Sequence, residues 1–167
     1  MTGAVHRSVA GLLLVWLAAP PAGAAAKDQA LTLAELTQLA RHIVVAKCRN
    51  RVERFEWGPR ESFIYTTFEV IEMVKGDPVR AFTLKTTAAV ESPRFKPGDQ
   101  AVLLLGEDDV QGYAQLAGPG LSVFRARRSR DGRWLIQPAS REMTVQELVD
   151  TIRYILWDER RSNDGPF

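Results

Sequence analysis

Beyond the N-terminal stretch that holds His6, the sequence offers one histidine, His42, and one cysteine, Cys48, as a base and a nucleophile. A nucleophile needs its base within about 3 Å. Six positions separate these two, so on a single strand they would stand roughly 20 Å apart and form no dyad. A serine site would have to recruit His42 to Ser62, Ser92, Ser122 or Ser140, none of which sits in the strained glycine-flanked turn of a hydrolase nucleophile. His42 reads instead as a boundary residue capping a helix end, and Cys48 as a buried apolar cysteine.

Metal chemistry lacks ligands, because zinc sites draw on several histidines and cysteines. Glu107-Asp108-Asp109 lacks the alternating acidic spacing and the glycine of a calcium loop and reads as a solvated turn. Gly118-Pro119-Gly120 carries a proline and leads toward a strand, so it is no phosphate cradle. No catalytic residue, metal or cofactor is assigned.

The densest local cluster is Arg125, Arg127, Arg128, Arg130 and Arg133, interleaved with Phe124 and Trp134. Arginine forks suit phosphate, sulfate or carboxylate, which makes Arg125, Arg127 and Arg133 the candidate anion-binding residues. The competing reading is a solvated edge hairpin whose charges block edge pairing, and it is favoured. Lys47, Arg49, Arg51 and Arg54 form a second basic set with the same two readings.

The chain that must position these residues has 167 amino acids, 46% hydrophobic and 25% charged, with a formal charge of +2. Such a composition fits one globular domain and selects no partner by bulk charge. Met1 to Ala26 reads as a secretory signal peptide: Arg7 precedes the apolar run Ala10 to Ala19, and small residues follow. The run is about half the roughly 20 residues that cross a bilayer, so no transmembrane segment is expected after cleavage. An exported protein, periplasmic or extracellular, is the expectation. Export and a nearly neutral chain argue against a nucleic-acid partner.

Thr32-Leu33-Ala34-Glu35 has capping-box spacing, which predicts a short helix from Leu33 to Arg41. A long half-buried strand follows from Ile43, with Val44, Ala46, Cys48 and Val52 on one parity. Trp57-Gly58-Pro59-Arg60 turns it into a second strand, Phe63 to Val74. Further strands are expected at Ala81–Thr87, Ala101–Leu105, Gly112–Leu116, Leu121–Arg128 and Arg133–Pro138. A second capping box at Thr144 opens an amphipathic helix bearing Leu148, Val149, Ile152 and Leu156. The pattern predicts a mainly β protein, a small five-to-seven-stranded OB-like barrel over residues 27–158 with a tail at 159–167.

The order Ile43-Val44-Val45-Ala46-Lys47-Cys48, Tyr65-Thr66-Thr67-Phe68-Glu69-Val70, Val74-Lys75-Gly76-Asp77, Phe95-Lys96-Pro97-Gly98-Asp99 and Val102-Leu103-Leu104-Leu105 resembles exported bacterial domains distantly similar to the netrin-like module and the tissue inhibitors of metalloproteinases. The resemblance spans residues 31–157 and implies an oligonucleotide/oligosaccharide-binding-type barrel. It departs from the animal inhibitors in lacking their amino-terminal cysteine and disulfides, so their inhibitory chemistry passes to no residue of this chain. Fold analogy and the missing catalytic groups lead to a non-enzymatic binding module that contacts a protein, with a protease as the implied partner class. The second reading is a binder of anionic polysaccharide or lipid headgroups through the arginine hairpin. The third is an enzyme centred on His42.

Overall fold

The structure is a computed structural model that describes residues 31–88, 93–118, 122–138 and 141–163; the expected signal peptide lies outside the described residues. Helix α1 (Leu33–Leu39) starts at a complete capping box, in which Thr32 Oγ1 accepts from the Glu35 N–H and the Glu35 carboxylate accepts from the Thr32 N–H. Those hydrogen bonds from Thr32 hold the Glu35 carboxyl below its ordinary range. Strands β1 (His42–Glu56) and β2 (Glu61–Lys75) then form a hairpin of two 15-residue arms. β3 (Ala81–Thr87), β4 (Gln100–Leu105), β5 (Val123–Arg128), β6 (Trp134–Ile136) and β7 (Met143–Thr144) follow, and α2 (Val145–Asn163) closes the chain. The second capping box is also formed, between Thr144 and Glu147. α2 continues to Asn163, through the first residues of the expected tail.

The barrel expectation is corrected. The strands make one seven-stranded antiparallel sheet in the order β3-β2-β1-β4-β5-β6-β7, and among the described residues no ladder joins its ends. The strand expected at Gly112–Leu116 is too short to complete a ladder, because Gly112, at φ +79°, still belongs to a turn held by Asp109. It contributes two single bridges, Ala114 to Leu84 in parallel and Leu116 to Leu105 in antiparallel sense. Segment 113–117 therefore lies between β3 and β4.

β4 explains the layering. Its apolar run is buried on both faces, as a central strand requires. Val102 and Leu104 join Ile43, Val45, Phe124 and Ile136 beneath Leu36 of α1 and Leu148, Val149 and Ile152 of α2. Ala101, Leu103 and Leu105 face the other way, into a second core with Val44, Ala46, Cys48, Phe68, Leu84 and Phe95.

The parity assigned to Val52 is also corrected. A register shift between Cys48 and Asn50 inserts one extra residue, so Cys48 opposes Phe68 but Arg51 opposes Thr66. The bulge turns Val52 to the opposite face, and Arg51 takes the inward position.

His42 opens β1 and does not cap α1. Lys75 does that, reaching back from the end of β2 to donate to the carbonyls of Thr37 at 2.7 Å and Gln38 at 3.1 Å. Burial pushes the Lys75 ammonium below its ordinary lysine pKa, a cost the two carbonyls offset. Replacing Lys75 with methionine should cost about 1 kcal/mol by stranding those acceptors, read as a lower urea midpoint at unchanged slope.

Candidate functional site

The arginine hairpin is formed by β5 and β6, where Arg127 opposes Leu135 and Arg128 opposes Trp134. Alternation buries Phe124 under the helices and leaves Arg125 and Arg127 outward on the other face. Trp134 is half-buried at the start of β6. Each of the three candidate anion-binding residues already holds a carboxylate. Arg125 pairs with Asp99 at 2.8 Å and lies over the Phe95 ring, with its guanidinium carbon 5.3 Å from the centroid. Arg127 pairs with Glu142, and Arg133 with Asp131 at 2.6 Å. The Arg133 hydrogen bond, with one from Ser129, holds the Asp131 carboxyl below its ordinary range.

The hairpin therefore brings the three arginines onto one element and directs each to its own acid. An incoming anion would have to displace three carboxylates. These pairs are largely solvent-exposed, so each contributes little to stability, but together they neutralise three of the five arginines of the cluster.

The second basic set is divided in a similar way. Arg49 pairs with Glu69, Arg51 lies 3.6 Å from Glu53, and Arg54 sits over Tyr65 with its guanidinium carbon 5.6 Å from the ring centroid. Cys48 is buried in β1, and desolvation, with the charge of Asp99, raises its thiol pKa above the ordinary value. The Ser122 hydroxyl is buried and engaged twice by Gly118, donating to its carbonyl and accepting from its N–H. Among the described residues, no three His, Cys, Asp or Glu side chains converge as a metal site, and no helix is long and apolar enough to cross a membrane.

Sequence reasoning missed the outer end of the β1–β2 hairpin. There the Lys85 side chain is 12% exposed and its ammonium pairs with Glu56 at 2.9 Å, while Tyr65 Oη donates to the same carboxylate. Phe63, Tyr65 and Tyr113 surround the ammonium, with ring centroids 4.3, 5.5 and 5.9 Å away. This cluster fixes the arm that carries Phe55 and Trp57, whose rings meet edge to face at 5.1 Å. Both are exposed, Phe55 at 50% and Trp57 at 84%. The aromatic-rich hairpin arms were a readable signal, but convergence on Lys85 depends on the β2–β3 register that sets Tyr65 opposite it.

Comparison of the sequence with protein-family models and with curated proteins finds no match.

Proposed function

We propose that this chain is an exported, non-enzymatic binding module that docks a protein partner through the outer end of the β1–β2 hairpin. The observation that carries the reading is the exposed Phe55–Trp57 pair on an arm braced by Lys85, Glu56 and Tyr65. Tryptophan dominates many protein interfaces, and a side chain held in place before contact loses less entropy on binding. A protease of the envelope or extracellular space is the partner class implied by the netrin-like resemblance. Export rests on the composition of residues 1–26.

The anionic-polymer reading ranks second because Arg125, Arg127 and Arg133 are each neutralised in place. The two readings separate in one experiment, in which residues 27–167 are immobilised and exposed to envelope and secreted fractions of the source cells. A Phe55→Ser/Trp57→Ser variant should lose at least about tenfold of the specifically retained protein, a hot-spot-sized effect. An Arg125→Ala/Arg127→Ala/Arg133→Ala variant should retain it as the wild type does. Salt-sensitive retention of anionic material, abolished only in the arginine variant, would overturn the docking reading.

A further inference from the structure

Among the described residues, β1 has a neighbour on one side only beyond Cys48. Its pairing with β4 ends at Lys47, the Gly98–Asp99 turn takes the backbone of Cys48, and Asn50 to Glu56 pair with β2 alone. Strand alternation tells which backbone groups are free. The Val70 N–H donates to the Arg80 carbonyl and the Ala88 N–H to the Ser62 carbonyl, so even-numbered β2 residues in this stretch face β3 and odd-numbered ones face β1. Their β1 partners Asn50, Val52 and Arg54 use their N–H and C=O on β2. Arg51, Glu53 and Phe55 point theirs outward. The Asn50 side chain accepts from the Arg51 N–H at 2.8 Å, a local substitute for a neighbouring strand.

We propose that this open edge is closed by the same edge of a second copy of the chain, giving a two-fold dimer with a continuous sheet. The register places Val52 on the axis and Arg51 opposite the partner's Glu53. Charge and backbone direction select it together. Only registers that oppose the outward-facing residues to one another keep an antiparallel ladder. Shifting one way sets Arg51 against the partner's Arg51, shifting the other way sets Glu53 against the partner's Glu53, and a further shift opposes the two copies of Arg54. Directly opposed like charges are destabilising. The proposed register opposes none, and its symmetry makes the Arg–Glu pair twice.

Among the described residues, Arg51 also lacks a full set of partners. Its Nε is buried without a hydrogen-bond partner, and its own Glu53 lies 3.6 Å from Nη2. Arg51 to Phe55 matches an ordinary strand in length; the dimer uses the outward backbone of Phe55, whereas the docking reading uses its ring with that of Trp57, so the edge variants and the aromatic variant test the two separately.

Sedimentation of the purified protein from about 1 μM to about 1 mM tests the dimer across the affinity range of such contacts. A concentration-dependent dimer is expected, weaker at high salt. Arg51→Glu or Glu53→Arg alone should weaken it about tenfold or more, because two attractive pairs become repulsive. Mixing the two variants should restore it, since each then opposes an unlike charge to the other, and that rescue also shows that both variants fold. Glu53→Pro removes an outward N–H together with the carboxylate set opposite Arg51 and should abolish the dimer with an unchanged circular dichroism spectrum. A monomer throughout, a dimer indifferent to the charge reversals and the proline, or no restoration on mixing would overturn the proposal.

Discussion

Truncating Phe68 to alanine should lower the free energy of unfolding by about 3–5 kcal/mol, the usual cost of emptying a fully buried aromatic site. Phe68 is 0% exposed and lies between two other rings, with Phe82 stacked at 5.4 Å and Phe95 edge-on at 5.0 Å. Phe95 stands on a loop and Phe82 on β3, so neither can slide inward without breaking its own strand or turn. The cavity would therefore persist rather than collapse. Urea denaturation followed by circular dichroism measures the loss. Ile71, on the same strand but 52% exposed, serves as the control, and its truncation should cost no more than about 0.5 kcal/mol. Equal losses at the two positions would show that the second core is not organised around Phe68.

Gly76→Ala is the second large effect, expected at about 3 kcal/mol and built from two separable causes. Gly76 sits at φ +98°, where any side chain meets its own backbone. An added Cβ would also overlap His42 Nδ1 and come within 2.7 Å of the Arg41 carbonyl oxygen. Gly98 divides the two, since its φ of +96° is nearly the same and nothing lies within 4 Å of the added carbon. Gly98→Ala should therefore carry the conformational cost alone, about 1–2 kcal/mol. The difference between the two urea midpoints isolates the crowding at His42. If both alanines cost the same, the contact between the β2–β3 turn and the start of β1 is looser than described.

That contact also marks where the sequence stopped being readable. Periodicity located α1, the long hairpin, β3, β4 and α2 to within a few residues, because each has a strong local pattern and both helices begin at a capping box. It did not locate β7, whose two residues carry no period. It also carried the wrong parity past the bulge at Cys48, because a bulge depends on the partner strand and leaves no mark in local alternation. The arginine hairpin was found, but its neutralisation was not. Asp99 and Glu142 lie 26 and 15 positions from the arginines they hold, and only the fold brings them together. For the same reason His42 looked like the natural helix cap, while the cation at that place is Lys75, 37 positions from Gln38.

One strand serves both cores. Ile43 and Val45 face the helices, Val44 and Ala46 face the second core, and β4 repeats the pattern beside them. The outer half of β1 belongs to neither. Native-state hydrogen exchange should accordingly run as a gradient along this single strand. Amides near Val44 would exchange only through global unfolding, whereas those past Asn50 would open with the hairpin arm while the rest stays folded. Loss of the arm's bracing would then leave both cores, and the stability of the domain that carries it, intact.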